Sequence, residues 1–425
     1  MKRLLFICAL IIITINFFIS PVALAQATEN EEQRIAVLLD GVEVAFDVPP
    51  VIKNGRVLVP FRAIAEALNV TVNWENDTRT ITAIDDKTNI SLQLDNKVAF
   101  YNGTPTVLDV VPQIHNDRAL VPLRFFSETF NCQVFWEAST NNIKITSPPK
   151  KMHIVGFYAL GDSKTSSWTN LFGKPYPELS RGNTDMVSEL ALGWYSIDKE
   201  GNLLTDSKTG WQKPSGWEHV LEAAEKYGLK TEMVIHVTDK GSTIASILES
   251  EDAVNNAVNG IIEEAKLYQG INLDFEGLGF QDEGEQLKTV RDSFNQFIEI
   301  LSQQAKDSGL SLTLTLHPPN SAYKGYDYQN LGKMADKIII MAYDYGTKPE
   351  PNSLVIQAVE EALKDVTKDR LILGISIPSE NPESIRTKVG IAKKYGLEGI
   401  ALWRLGLLTE EMWDSLRETL ETTLD

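Results

Sequence analysis

The sequence predicts an α/β protein, a (β/α)8 TIM barrel preceded by a smaller duplicated α+β domain, and three observations lead there. The chain is 425 residues long, and a barrel of roughly 250 residues leaves room for a second unit. Between about residues 33 and 148 it repeats itself at an offset of 62 residues. After residue 150, apolar strand-like runs alternate with amphipathic stretches, the pattern of parallel strands buried on both faces under helices.

Taken in chain order, residues 1–25 open with Lys2 and Arg3, continue through an apolar run from Leu4 to Phe18 and end in Ala23-Leu24-Ala25. That is the layout of a secretory signal, so the expectation is an exported mature chain. Removing it takes two basic residues and leaves 58 acidic against 38 basic, a formal charge of -20. A polyanionic partner such as nucleic acid is excluded on that balance. Cys8 lies in the leader and Cys132 stands alone, so the mature fold rests on its core and not on a disulfide.

In the repeated part, expected to span residues 30–148, Asn54-Gly55-Arg56-Val57-Leu58-Val59-Pro60-Phe61-Arg62 returns as Asn116-Asp117-Arg118-Ala119-Leu120-Val121-Pro122-Leu123-Arg124, and Trp74-Glu75 returns as Trp136-Glu137. Each copy reads as short strands, a helix (Phe61 to Leu68; Leu123 to Phe130) and a hairpin through the tryptophan. The two tryptophans read as core anchors, with sugar-stacking platforms as the competing use. The repeat resembles the copper amine oxidase N-terminal domain through Leu58-Val59-Pro60-Phe61-Arg62 and its second copy. His115 is the only histidine in this half, so no copper site is expected, and the resemblance implies a stalk or cell-envelope attachment module.

The run Pro148-Pro149-Lys150-Lys151 reads as a linker, and residues 152–425 as the barrel. Strands are expected near His153 to Ala159, Leu190 to Ser196, Thr231 to His236, Gly270 to Glu276, Ser311 to His317, Ile338 to Tyr343, Leu371 to Ile377 and Gly399 to Trp403. Helices are expected over Trp217 to Tyr227, Ala253 to Tyr268, Gly284 to Ser308, Ser353 to Lys364, Pro382 to Tyr395 and Glu410 to Leu420. Eight such units describe a closed parallel barrel, whose chemistry collects at the carboxyl ends of the strands.

The fourth of these strands carries the informative pattern. Alternation places Asn272, Asp274 and Glu276 on one side and Ile271, Leu273 and Phe275 on the other. A polar stripe directed inward is costly unless its groups bond one another or a ligand, which suits a site that moves protons. Met341-Ala342-Tyr343-Asp344 closes the sixth strand and Trp403 the eighth, while Tyr158 follows the first and Trp194 and Tyr195 the second. Carboxylates, phenols and indoles around one mouth describe a sugar cleft.

Residues 269–276 resemble the DGxDxDxE signature of glycoside hydrolase family 18, the chitinase-like barrels. Met341-Ala342-Tyr343-Asp344 and Trp403 resemble that family's sixth- and eighth-strand elements, and the phrasing is closest to the branch of spore-cortex-lytic glucosaminidases. The resemblance implies that Glu276 is the general acid and base, and that Asp274 orients the substrate's 2-acetamido group, whose oxygen displaces the leaving group. It further implies that Tyr343 bonds the acetamido oxygen, that Asp344 helps fix the sugar and that Trp403 forms the floor on which it stacks. Met341, Asn272, Tyr158 and Trp194 read as further substrate contacts from their place at the strand ends, with barrel packing as the competing use for Tyr158 and Trp194. The polymer would be peptidoglycan or chitin, cleaved at β-1,4 bonds beside N-acetylglucosamine, in the cell wall or spore envelope. The sequence departs from the signature at Gln269 and at Asn272, and with an amide at 272 the expectation is that Asp274 stays ionised throughout.

Metal catalysis is not expected, because His153, His219, His236 and His317 are scattered and no Cys cluster exists; His236 and His317 read as satisfied or substrate-contacting groups. No cofactor is implied. A carbohydrate-binding, lectin-like protein on the same barrel is the alternative, disfavoured because such relatives lose the acid that Glu276 supplies. A structural envelope protein would leave Asp274, Glu276 and Tyr343 unexplained. About twenty residues separate the seventh and eighth strands, too few for an α+β insertion, which implies an open groove.

Overall fold

The computed structural model describes residues 35–159, 164–206, 212–238 and 242–423; the leader expected in residues 1–25 lies outside them. No helix among the described residues is long and apolar enough to cross a membrane.

The amino-terminal part is built about a local two-fold relation. The strands Arg56–Pro60 and Arg118–Pro122 pair antiparallel with Val59 opposite Val121, so the pairing itself matches residues 62 apart. Each strand runs into a seven-residue helix, Phe61–Ala67 or Leu123–Thr129. Each helix is followed by a hairpin, Thr71–Glu75 with Thr80–Ile84 and Gln133–Glu137 with Asn142–Thr146. The helices bury Ile64 and Phe126 in one shared core. The first hairpin extends into a five-stranded sheet, whereas the second pairs in parallel with Ala36–Leu39 in a four-stranded sheet. The strand missing from the second sheet corresponds to Asn89–Gln93, and its equivalent residues, 62 further on, are already part of the first barrel strand, Lys150–Tyr158. The repeat therefore ends where the chain is drawn into the barrel. The two tryptophans differ: Trp74, opposite buried Ile81 on the inward face of its hairpin, is half-buried and packs against the shared core, whereas Trp136, opposite Ile143, is 37% exposed and is not the buried anchor expected from sequence. Cys132 is buried, and burial pushes its thiol up to about 12, an unreactive state at neutral pH.

Eight parallel strands close the barrel: Lys150–Tyr158, Glu189–Ile197, Lys230–Thr238, Gly270–Glu276, Ser311–Leu316, Lys337–Ile340, Leu371–Ser376 and Gly399–Trp403, with the eighth pairing back on the first. The expected helices form, and three short ones that lack a long apolar stripe add to them: Ser167–Phe172, Thr243–Leu248 and Tyr328–Met334. Outward-facing strand residues such as Leu190, Ile235, Leu273, Leu314 and Leu373 pack under the helices in the main core. Each such side chain contributes about 1.5–3 kcal/mol by leaving water. Between the seventh and eighth strands lie one three-residue turn of helix and the helix Pro382–Tyr395, with no α+β insertion.

The two parts meet on the helix Pro382–Tyr395. Lys393 Nζ lies 3.0 Å from Asp40 Oδ2 and donates to Pro148 O at 3.1 Å. A Cβ at Gly390 would stand 2.2 Å from Asp40 O, so only glycine admits this approach. Because the first barrel strand enters from this side, the amino-terminal part adjoins the end of the barrel opposite the catalytic mouth.

The barrel interior is layered. A middle layer of Val155, Ala191, Val234, Ile339, Ile372 and Ala401 is apolar. Beneath it lies a charged floor that the sequence reading did not anticipate. Lys337 contacts Glu189 and lies 3.0 Å from Glu232 Oε1, and His153 Nε2 lies 2.6 Å from Glu189 Oε2. Burial works against the Lys337 ammonium, but the two carboxylates hold its pKa up. Burial and the Glu189 charge raise Glu232. Removing one partner from such a cluster leaves uncompensated charge in a dry interior. The Lys337→Met variant is therefore expected to lose about 3–5 kcal/mol of stability, read as a lowered urea midpoint at unchanged slope; a change within error would show that the floor is solvated.

Candidate active site

The fourth strand is locked in register from its outer face. Phe275 packs between Phe294 and Phe297 of the helix Gly284–Asp307, with ring centroids at 6.4 and 5.7 Å. Because neighbouring side chains alternate, anchoring Phe275 outward forces Asp274 and Glu276 inward. Asp274 is 3% exposed, and its Oδ1 is buried without a hydrogen-bond partner among the described residues. The Glu276 side chain is 29% exposed at the rim. One carboxyl is thus enclosed and the other faces the groove.

Both neighbouring strands contribute a histidine to Glu276. His236 Nε2 lies 3.2 Å from Glu276 Oε1, and His317 Nε2 lies 3.7 Å from Glu276 Oε2. Burial lowers the His317 pKa against the pull of Glu276, so this ring is neutral near pH 7. His236, Asp274 and Glu276 each bring an atom to within 4.8 Å of the others. Histidines scattered in sequence are therefore gathered in space, which corrects the spacing argument against a cluster.

Asp274 departs furthest from ordinary behaviour. Burial, then the Glu276 charge, raises its carboxyl to about 8, with His236 opposing. The direction is opposite to the expectation that Asp274 stays ionised: enclosure and a second carboxyl two residues away both favour the protonated form. Tyr343 lies in the same field; its phenol is raised by burial and by Asp274, Glu276 and Asp344. Its ring occupies space that glycine leaves in the seventh strand, since a Cβ at Gly374 would meet Tyr343 Cε1 at 3.2 Å and Ile340 O at 2.7 Å. Met341 is buried, its N–H donating to Leu316 O at 2.9 Å. Asp344 takes a left-handed φ of 64°. Buried Glu350 fixes that turn by accepting the Asp344 and Tyr345 N–H groups, each at 3.1 Å. Trp403 projects inward over Phe157, edge to face with centroids 5.3 Å apart.

Three expected substrate contacts lie elsewhere. Asn272 is fully buried one layer below Asp274, donating to Glu232 Oε2 at 3.1 Å and accepting from Thr315 Oγ1 at 2.8 Å; both ends of its amide are used by the barrel floor. Tyr158 and Trp194 are buried on the outer side of their strands, edge to face at 6.3 Å, in the core beneath the helices. Their places follow from alternation, because Phe157 and Ala191 are the residues that face inward.

The sequence reading missed an aromatic wall on the loops after the fourth and fifth strands. His317 stacks on Tyr323 with centroids 4.0 Å apart, and Tyr323 contacts Phe280, 51% exposed, at 5.4 Å. These residues carry no motif. The alternation of Glu232, Val234 and His236 in the third strand, a polar stripe like that of the fourth, was the available signal for the floor and for His236.

Residues 153–377, more than half of the chain, match the family described as Glycosyl hydrolases family 18, and residues 38–145 match the Copper amine oxidase N-terminal domain. The chain belongs to glycosyl hydrolases family 18. It is a glycosidase-family protein on a TIM barrel. It is 21% identical over 344 residues to the "Uncharacterized glycosylase YvbX" of Bacillus subtilis, covering 62% of this chain and 95% of that protein. It is 27% identical over 142 residues to the Bacillus subtilis "Cortical fragment-lytic enzyme", covering 30% of this chain and 31% of that one. The crystal structure of the Bacillus cereus spore cortex-lytic enzyme SleL shares the fold at a TM-score of 0.53 with 17% identity, over 65% of this chain and 76% of that one.

The raised Asp274 carboxyl makes a stability prediction for this family 18 chain. In the unfolded chain the group ionises near 3.8, whereas in the fold it keeps its proton to about 8. Between those values the native state holds the extra proton, so folding loses stability as pH rises, and above the folded pKa the full cost is present. Asp274→Asn abolishes that dependence. Its melting temperature relative to the parent is expected to rise from pH 5 to pH 9, by the equivalent of a few kcal/mol at about 1.4 kcal/mol per unit; a difference independent of pH would show that Asp274 is ionised in the fold.

Proposed function

We propose that this protein hydrolyses β-1,4 bonds beside N-acetylglucosamine in peptidoglycan, cutting within the polymer by a substrate-assisted, retaining route. The observation that carries this reading is the pairing, on one face of the fourth strand, of an enclosed Asp274 with a rim-exposed Glu276 that two histidines flank. In the empty site one proton resides on the pair, mainly at Asp274. When an acetamido N–H enters and donates to Asp274, the ionised form of that carboxyl is favoured and the proton passes to Glu276. Glu276 then protonates the glycosidic oxygen as the acetamido oxygen bonds to the anomeric carbon and the leaving sugar departs. The Asp274 carboxylate faces the positive charge that develops on the ring so formed. Tyr343 donates to the acetamido oxygen, and Glu276, now ionised, takes a proton from the water that opens the ring. Retention follows from two displacements on the same carbon.

Trp403 supplies the floor on which the reacting sugar stacks, with Asp344 and Met341 beside it. The wall from His317 to Phe280 extends the stacking surface along an open groove, which suits internal cleavage of a cross-linked glycan. In this reading residues 30–148 attach the enzyme to the cell envelope and residues 152–425 form the catalytic barrel. The leader read in residues 1–25, together with relatives named for spore-cortex lysis, supports action outside the membrane, in the wall or spore cortex.

Incubation with purified peptidoglycan, chitin oligomers and a de-N-acetylated control tests the reading. The expected outcome is cleavage of N-acetylated glycan with the β anomer formed first by NMR, and resistance of the control; equal cleavage of the control contradicts assistance by the acetamido group. Glu276→Gln is expected to lower kcat by about 10²–10⁴ and Tyr343→Phe by about 10², both remaining folded. Because the three clustered groups hold a proton and not a cation in this scheme, EDTA is expected to leave the rate unchanged, and a chelator-sensitive rate restored by a divalent ion would replace the scheme with a metal-assisted one.

A further inference from the structure

The amino-terminal part carries two cavities, of about 490 and 570 Å³, whose linings correspond residue by residue at the offset of 62. One repeat supplies the helix side of each cavity: Arg62, Glu66 and Trp74 in the larger, Arg124, Glu128 and Trp136 in the smaller. The opposite repeat closes it with a hairpin, through Ile114 and Arg118 in the larger and Ile52 and Arg56 in the smaller. Each closing arginine is paired across the repeat boundary: Arg56 Nε lies 2.8 Å from Asp109 Oδ2, and Arg118 pairs with Asp47. Every one of these positions holds the same residue type in both copies. Around them the copies diverge, Val57 against Ala119, Ala63 against Phe125 and Asn73 against Phe135 among the changes.

Stitching the repeats together accounts for the Arg–Asp pairs. It does not account for a tryptophan left 37% exposed at Trp136, for isoleucines 60% and 48% exposed at Ile52 and Ile114, or for the identical Arg and Glu on each helix. Apolar surface kept open at two equivalent places is a binding feature. The chemistry narrows the ligand. In the smaller cavity Arg56 and Arg124 are balanced by Asp109 and Glu128, so the cavity has no net charge to attract an ion. A flat indole ringed by oriented donors and acceptors fits an uncharged pyranose, apolar on its face and hydroxylated at its edge. In the larger cavity Arg62 and Arg118 face Asp47, Glu66 and Asp117, the last standing where the smaller has Gly55, so that site does not attract an anion either. Two cavities built alike fit a partner that itself repeats.

We infer that the amino-terminal domain holds two equivalent glycan-binding sites, centred on Trp74 and Trp136, that tether the enzyme to the polysaccharide its barrel cleaves. The identity of that polysaccharide rests on the function proposed above; the sites rest on their own geometry. Since this domain adjoins the end of the barrel away from the mouth, the sites do not extend the groove. They raise the local concentration of polymer.

The test uses the full-length Glu276→Gln protein, so that polymer is not consumed, and measures co-sedimentation with insoluble peptidoglycan and, in a parallel arm, chitin. Trp74→Ala or Trp136→Ala is expected to weaken binding several-fold, and the double variant by more than about 50-fold, because two linked sites act together. Val107→Arg, at a strand position 74% exposed on the lip of the smaller cavity, is expected to match Trp136→Ala without touching the core. In the active enzyme the double variant is expected to hydrolyse soluble oligosaccharides at the parent rate while losing activity on insoluble polymer through KM. Tryptophan-dependent sedimentation supports the sites even if the barrel cleaves neither polymer. No sedimentation of the parent, or undiminished sedimentation of the folded double variant and of Val107→Arg, overturns them.

Discussion

Two carboxyl groups two residues apart on one strand, one enclosed and one at the rim, disfavour charge on each other, and the arrangement of the mouth answers to that constraint. Asp274 is enclosed and its carboxyl is pushed toward the protonated form; Glu276 stands at the rim where a substrate can reach it. The division of labour is set by depth alone, since both residues come from the same alternating stripe. His236 and His317 then hold Glu276 from either side, and Tyr343 closes the site from the sixth strand into space left by Gly374.

The pair at the mouth is supported by a second set of buried charges below it. Lys337 neutralises Glu189 and Glu232 at the barrel floor, and Asn272 connects that floor to the catalytic strand by donating to Glu232 while accepting from Thr315. An aspartate at 272 would have no N–H to donate and would add a third carboxyl to a dry interior. The departure from the acidic signature is thus explained by the floor and not by the substrate. Among the described residues it also leaves Glu276 as the carboxylate whose charge raises Asp274.

Much of this was legible in the sequence, for reasons that can be stated residue by residue. Continuous apolar strands gave the barrel because burial on both faces leaves no alternation to misread, and the offset of 62 residues gave the duplicated domain. The stripe Asn272, Asp274, Glu276 pointed inward as alternation requires. The same rule sends Tyr158 and Trp194 outward into the core, the packing use that competes with a place in the cleft. The floor stayed hidden because Glu189, Glu232 and Lys337 come from three strands far apart in the chain and satisfy one another only after closure. The aromatic wall of Phe280, Tyr323 and His317 lies partly on loops, where no period constrains the side chains. The exposure of Trp136 was beyond local pattern, because a half-buried strand position and a pocket lining share one sequence signature.

The measurement that tests the central claim most directly is a 13C NMR titration of the aspartate side-chain carboxyl resonances in the ligand-free protein, with the Asp274 signal assigned by its loss in Asp274→Asn. The account predicts a midpoint far above the ordinary 3.8, near 8. A midpoint at or below 4 would mean that Asp274 is a charged carboxylate in the empty site, and the proton that this account hands to Glu276 would have to come from somewhere else.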